Sequence, residues 1–335
     1  MQNSDAQMSS GPTNAVARAQ EIAESILFPA ALETDRSDLL PVSNLDALAD
    51  AGLYGLFGPS AVGGLESDLQ SAGAVVEALA SGCLTTALVW LQHHGIVGSL
   101  LFGPDELRDQ WMADLCDGTR RSGIVFAGLL PGPSSLIARP IESGWTIDGD
   151  APWVSGWGRI DTLQIAARGP DDTVVTVAID DLDDPSISAT RHRLAALDAS
   201  GTVRLRFDSL DVPEGRVLSV VPHEPEASGG LSLRLNGSLA LGVVRRCCEL
   251  IGPSPLDDDL TRARIQLDEA GADEMAAARA NASALAVRAT AQLLVRTGSR
   301  SIEIDNHAQR LAREAMFLLV FGSRPAIKES LIDLL

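Results

Sequence analysis

Lysine is all but missing from this chain. Lys328 is the only one, so arginine supplies nearly all of the 26 basic side chains. Schiff-base chemistry and a phosphate-loop ammonium are left with that single candidate. Cysteine is scarce as well: Cys83, Cys116, Cys247 and Cys248, with no C-x-x-C pair among them. With five scattered histidines these give no zinc-like spacing, and no metal site is expected. Few, unpatterned cysteines suit a reduced, cytoplasmic protein. Residues 1–13 are polar with no apolar centre, so no signal peptide is expected there. The most apolar run, Leu84 to Phe102, is interrupted by Gln92-His93-His94, which suits a buried helix and not a membrane span. Positive charge is in deficit, with 45 acidic against 26 basic side chains and a net charge of −19. A general grip on nucleic acid or on an anionic membrane surface needs the opposite sign, so neither partner is expected. Neither G-x-G-x-x-G nor a Walker-type loop occurs, which removes the usual glycine-rich phosphate cradles.

What remains is ordinary core material. Hydrophobic residues make up 45% of 335, enough for two or three packed units. Residues 1–119 read as helical. Apolar spacing predicts helices over Ala15–Leu27, ending near Pro29, and over Asn44–Ala51, with Ser43 as N-cap. It predicts others over Asp68–Ala80, Thr85–Phe102 and Glu106–Cys116. Residues 120–220 change period to two. Strands are predicted over Gly123–Leu129, Gly144–Asp148, Thr162–Ala167, Val174–Ile179, Ile187–Thr190 and Thr202–Leu210. Asp148-Gly149-Asp150 and Gly169-Pro170-Asp171 serve as turns between them. No helix separates these strands, so the layer is an antiparallel barrel or sandwich and not a nucleotide-binding parallel sheet. Residues 221–335 return to helix: Leu233–Ile251, a long Ala-rich stretch Asp257–Arg296, Asn306–Val320 and Ala326–Leu334. The order is a helical unit, a β unit and a closing helical bundle.

That order, with particular residues, resembles the acyl-CoA dehydrogenase family of flavoproteins and the flavin-dependent monooxygenases that share its fold. Leu48-Ala49-Asp50-Ala51-Gly52-Leu53-Tyr54-Gly55-Leu56, followed by Gly63-Gly64, is similar to the family's first helical hairpin. Trp153-Val154-Ser155-Gly156 is similar to its Trp-Ile-Thr/Ser flavin motif. Phe207-Asp208-Ser209-Leu210-Asp211-Val212-Pro213 resembles the strand that ends the β domain, and Arg234 through Ala240-Leu241-Gly242 the start of the bundle. The resemblance implies an N-terminal α-helical domain, a central antiparallel β domain and a C-terminal four-helix bundle. It implies FAD between the last two, and an acyl-CoA thioester undergoing α,β-dehydrogenation. Trp153 and Ser155 would lie against the flavin ring, Ser155 near N5. Phe126, Gly128 and Leu129 would line the flavin loop, and Ser135 would keep the place of a residue touching the thioester. Read alone, Trp153 is also a core aromatic at a strand start, and Ser155 and Ser135 are turn residues.

Three departures bear on activity. Leu129 and Leu130 stand where the family typically has Thr and Glu before its Pro. No Phe-Gly pair follows the first bundle helix; Arg262 and Arg264 are there, either to reach a diphosphate or to pair with Asp257–Asp259. Phe321 occupies the place of the catalytic Glu, and Leu233 the alternative place before Arg234. Glu249 and Glu314 are better placed for structural pairs. Losing a general base costs roughly 10²–10⁴-fold. His93 and His94 are the remaining candidates: each is either a flavin-side acid–base group or a satisfied core histidine. His307 marks a helix start. Three functions stay open: an FAD-dependent acyl-CoA dehydrogenase, as homodimer or homotetramer; a non-catalytic subunit forming a heteromer with a complete acyl-CoA dehydrogenase; and a flavin-dependent monooxygenase using His93 or His94.

Overall fold

The computed structural model describes residues 12–130, 132–224, 230–322 and 324–335. The polar segment 1–11, Pro131 in the loop expected to line a flavin, residues 225–229 and Ser323 after Phe321 lie outside them. The order found is helices, one sheet, then helices.

Six α-helices come first: α1 (Pro12–Ile22), α2 (Phe28–Arg36), α3 (Val42–Asp50), α4 (Leu69–Gly82), α5 (Leu84–Leu101) and α6 (Asp105–Asp117). The expected stop at Pro29 does not occur. One π-helical turn, Ala23–Leu27, lies between α1 and α2, and the Phe28 N–H reaches back to the Ala23 carbonyl. Pro29 then falls at the start of α2, where its missing N–H costs nothing. Ser43 is not a cap either, because α3 begins at Val42 after an extended Pro41. Asp68 caps α4 by accepting from the Ser71 N–H, and Gly118 ends α6 in the left-handed conformation.

The eight strands are β1 (Ser122–Val125), β2 (Leu136–Ile141), β3 (Gly144–Val154), β4 (Thr162–Arg168), β5 (Thr173–Ile179), β6 (Ile187–Arg191), β7 (Val203–Pro213) and β8 (Val217–Pro222). They form one sheet in the order β6-β7-β3-β2-β4-β5-β8. Pairing is mostly antiparallel, but β1 runs parallel to β4, and β2 meets the far end of β4 through Ile137 and Arg168. The turn predicted at Asp148-Gly149-Asp150 is a bulge inside the continuous β3. Its register against β7 shifts between Ile147 and Gly149, and Gly149 takes the positive φ of +121°. The hairpin turn sits earlier, between β2 and β3. The strand predicted over Gly123–Leu129 ends at Val125 and is followed by the 3₁₀ turn Ala127–Leu129.

The closing helices are α7 (Gly230–Ile251), α8 (Pro255–Glu269), α9 (Met275–Thr297), α10 (His307–Val320) and α11 (Pro325–Leu334). The long predicted stretch Asp257–Arg296 is broken at 270–274, where Gly271 opens a turn closed by Glu274. One continuous core joins these helices to α1, α4 and α5, and Ala196 and Leu197 of the β6–β7 loop plug into it. Ion pairs fasten the same seam: Arg246 to Glu24 at 2.6 Å, Arg264 to Glu77 at 2.7 Å and Arg313 to Asp35 at 2.5 Å. Arg313 also donates to the Ala195 carbonyl, locking the β6–β7 loop against α10. Among the described residues no helix is long and apolar enough to cross a membrane.

His93 belongs to this framework. Its Nε2–H donates to the Leu115 carbonyl of α6 at 3.0 Å, and its Nδ1 accepts the Ser122 N–H of β1 at 3.2 Å. Both nitrogens are used, so the ring is neutral and joins three elements. Burial pushes its pKa down to about 3. Because the folded protein resists protonating His93, its stabilising contribution is complete above the unfolded value of about 6.5. It is lost as pH falls from there toward the folded value. By itself His93 should cost about 1.6 kcal/mol between pH 6.5 and 5 in urea unfolding, the slope approaching about 1.4 kcal/mol per pH unit at the lower end. His93→Gln should reduce the slope by that share and lower stability at pH 7 by about 1–3 kcal/mol. An unchanged slope in this variant would contradict the assignment.

Candidate functional site

The end of β3 places the first two candidates. Side chains alternate along a strand; after a register shift between Ala151 and Val154, Val154 points into the sheet core. Trp153 and Ser155 therefore stand on the other face, next to the start of β7, where Val154 is paired with Val203. Trp153 is 66% exposed, unusual for an indole. One of its faces is covered by the His192 ring, stacked at 4.5 Å. His192 is fixed in turn: its Nε2–H donates to the Pro152 carbonyl at 2.7 Å, and its N–H to the Thr202 carbonyl at 3.0 Å. Ser155 is half-buried, and its hydroxyl lies 2.8 Å from that of Thr202. The Thr202 hydroxyl lies a further 2.8 Å from that of Ser200. The Gly156 N–H donates to the Ser200 carbonyl, so the turn after Ser155 is tied to the same segment. A side chain at Gly156 would meet Val89 of α5, which puts this corner against the helical layer.

The loop between β1 and β2 supplies Phe126, Gly128, Leu129 and Ser135. It leaves the sheet where β1 parts from β4 and returns where β2 rejoins it. Gly128 crosses directly over β4: a Cβ there would come within 2.6 Å of the Ala166 carbonyl oxygen, so only glycine fits. Leu129 and Leu130 are exposed. Their N–H groups donate back to Phe126 and Ala127 within the turn, so these two donors are already engaged. The half-buried Phe126 ring reaches α5 beside Gly95. Ser135 is exposed and donates to the Asp150 carbonyl at 2.8 Å, which ties it to β3.

Arg168, at the end of β4, holds this loop, and sequence reasoning missed it. Its guanidinium donates to the Gly128 carbonyl at 3.0 and 3.2 Å and to the Leu130 carbonyl at 3.0 Å. It pairs with Asp172 at 2.7 Å and lies 2.8 Å from Nε2 of His223. Thr202 and Ser200 were missed as well; their only signal was a pair of hydroxyls just ahead of an alternating strand.

The two histidines part company. His93 is consumed by its two backbone partners. His94 is buried among Trp90, Phe57 and the His93 ring, all edge-on at 4.6, 5.5 and 5.3 Å. Neither of its ring nitrogens has a hydrogen-bond partner among the described residues. Burial, then the neighbouring His93, hold its pKa well below the ordinary value. His94 is thus a neutral imidazole with unused hydrogen-bonding capacity.

Among the described residues, the acids singled out in the closing helices are paired with arginines. Phe321 ends α10 half-buried and stacks on Phe317 at 5.3 Å. Its carbonyl, with that of Leu318, accepts from the buried Arg279. Among the described residues no carboxylate pairs with Arg279, and burial lowers its pKa to about 10. Leu233 is buried. Glu314 is buried against Arg310 at 2.5 Å, its pKa raised by burial, and Glu249 pairs with Arg245 and Arg246 at 2.9 Å. Arg262 pairs with Asp259 and Arg264 with Glu77, so both arginines considered for a diphosphate are committed to carboxylates. Asn306 caps α10 by accepting the Ala308 N–H, and the helix starts at His307.

Against known proteins, residues 13–119 match the family described as acyl-CoA dehydrogenase, N-terminal domain. The chain is 22% identical to the mitochondrial short-chain specific acyl-CoA dehydrogenase of Rattus norvegicus, over 59% of this chain and 51% of that one. It is 26% identical to 3-sulfinopropanoyl-CoA desulfinase of Variovorax paradoxus, over 70% of this chain and 63% of the relative. It therefore spans between half and two thirds of these relatives. Among solved structures, butyryl-CoA dehydrogenase from Megasphaera elsdenii superposes with a TM-score of 0.81 at 16% identity, covering 98% of each chain. Dibenzothiophene monooxygenase from Paenibacillus sp. A11-2 superposes with a TM-score of 0.78, also at 16% identity and covering 96% of each chain. The N-terminal domain match, the run of relatives and a fold shared from end to end make this an acyl-CoA dehydrogenase-like protein.

Proposed function

We propose that this chain is an FAD-dependent oxidoreductase of the acyl-CoA dehydrogenase type, acting on a CoA thioester. The observation that carries the reading is the exposed Trp153 indole standing beside the half-buried Ser155 hydroxyl at one strand end. The donor set fits a flat ring with a polar edge. The Ser155 hydroxyl offers one proton and two lone pairs, and Thr202 engages one of the three. Trp153 at the end of β3 and Leu129 and Leu130 in the β1–β2 loop each supply exposed apolar surface. FAD, when bound, supplies the acceptor for the β-hydride of the thioester. Ser155 would orient the ring through N5. Trp153 and the two leucines would exclude water. Arg168 would fix the loop, with Phe126, Gly128 and Leu129 as its lining and Ser135 beside the thioester.

A second reading has its own support. Phe321 and Leu233 cannot accept a proton, and Arg262 and Arg264 are neutralised by Asp259 and Glu77. A chain that relies on a complete dehydrogenase subunit for the base and for part of the FAD site would tolerate all four. We infer a homo-oligomer under the first reading and a heteromer under the second. A reducing, cytoplasmic setting suits both, since all four cysteines are buried and unpaired. Burial raises each thiol, Cys116 and Cys248 to about 11. The monooxygenase alternative rests on His94 alone among the titratable candidates.

The visible spectrum of the purified chain, titrated with acyl-CoA thioesters of increasing length, separates the readings. A yellow protein bleached by a thioester is expected. A colourless chain that turns yellow only when co-produced with a dehydrogenase subunit would replace the first reading by the second. Ser155→Ala should weaken FAD retention or slow flavin reduction by roughly tenfold, the equivalent of one lost hydrogen bond of about 1.4 kcal/mol. Unchanged retention and reduction would remove the ring from this place. Arg168→Met should release the loop, lowering stability by about 2–4 kcal/mol in urea unfolding. It should weaken FAD binding more than Arg139→Met, a change at an exposed pair on the same sheet.

A further inference from the structure

Helix α5 is almost sealed. Of residues 84–97, all are buried except Gln92 and Gly95. These two lie three apart, and Val89 lies three before Gln92, so the three share one stripe of the helix. The stripe runs between two parts of the candidate site. At one end Val89 packs against Gly156, next to Ser155. At the other, Gly95 faces Ile124 and the tip of the Phe126 ring, both half-buried. Gln92 sits midway, where the helix is left uncovered. Gln164 of β4, 4% exposed, approaches Gly95 from the sheet: its Oε1 lies 2.7 Å from where a Gly95 Cβ would be. Its Nε2 donates to the Ser99 hydroxyl at 2.7 Å. The Oε1 atoms of Gln92 and Gln164 are both buried, and neither has a hydrogen-bond partner among the described residues. A buried amide group left unmet is costly, and two of them flank one glycine here. A polar group from outside the chain would complete both.

We propose that Gln92, with Gln164 behind it, selects a thioester whose acyl chain carries a hydroxyl beyond the β-carbon. The inference rests on the proposed function, with the flavin at Ser155 and the thioester beside Ser135. Along β3 the order is the Ser135 contact at Asp150, then Ser155, then Gly156 against α5. An acyl chain that starts at Ser135 and reacts at the Ser155 corner therefore carries its far end toward Gln92. The hydrogens it loses come from Cα and Cβ, so the recognised group lies at C4 or farther out. A hydroxyl both donates and accepts, so it satisfies a carboxamide whichever way the amide is turned. A carboxylate is a poorer fit, because none of Gln92, Gly95, Ile124, Phe126 and Gln164 carries a charge to pair with it. A plain alkyl chain would leave both amides unmet, which is how a polar pocket rejects an analogue lacking the polar group.

The test is calorimetric titration of the FAD-loaded chain with matched thioesters. The pairs are 4-hydroxybutyryl-CoA against butyryl-CoA and 5-hydroxypentanoyl-CoA against pentanoyl-CoA, with glutaryl-CoA as the charged analogue. In at least one pair the hydroxylated thioester should bind about tenfold tighter than its alkyl match, and tighter than glutaryl-CoA. Gln92→Met keeps the side-chain length and suits a helix. It should bring that pair to within about threefold of each other. Gln164→Met should reduce the preference in the same direction. Equal or tighter binding of both alkyl thioesters to the wild type would overturn the inference, and so would a preference that survives both substitutions. Either result leaves the flavin and thioester reading standing. Failure of all five thioesters to bind would remove that reading, and the hydroxyl preference with it.

Discussion

One constraint organises this molecule: at the end of β3, burying Val154 in the sheet core forces Trp153 and Ser155 onto the opposite face. A strand has no other way to place three consecutive side chains. Everything around that corner holds the geometry. β7 pairs alongside, His192 covers one face of the indole, and the β6–β7 loop is itself pinned by Leu197 in the helical core and by Arg313 on the Ala195 carbonyl. The site is thus built where the sheet meets the helices, and its precision comes from the seam and not from the loop that carries it.

Much of the fold was legible because its signals are local and periodic. The almost wholly apolar α5, the alternation of β7, broken once at Asp208–Ser209, and the Gly118 stop after α6 are each set by a few neighbouring residues. The failures were places where tertiary context overrode a local rule. Pro29 reads as a helix stop, yet a single π-turn absorbs its missing N–H and the helical run continues. Gly149 reads as a hairpin turn, yet pairing on both sides of β3 makes it a bulge in one long strand. Pro140 hid β2, although it pairs opposite Trp145.

The site was legible only in part, for a physical reason. Trp153, Ser155 and Gly128 were found through the resemblance to a family pattern, since read alone an indole at a strand end and a serine in a turn are ordinary. Arg168, Thr202 and Ser200 were not, since their importance lies in partners distant in sequence: Arg168 to Gly128 and Leu130, Thr202 to Ser155. His93 and His94 are adjacent and look alike in sequence, but helical geometry sends one to two backbone partners and leaves the other with none. Phe321 and Leu233, at the places the resemblance gives to a base, are half-buried and buried apolar side chains. Glu314 and Glu249, the nearest acids, are both bound to arginine.

The central claim is that a flavin ring lies against Trp153 with N5 on the Ser155 hydroxyl. A crystal structure of the full chain soaked or grown with FAD addresses it directly. The account predicts the isoalloxazine at the end of β3, with N5 within hydrogen-bond distance of Ser155 Oγ and the loop over Gly128 at its edge. Density for the ring elsewhere, with Ser155 still bonded only to Thr202, would contradict it.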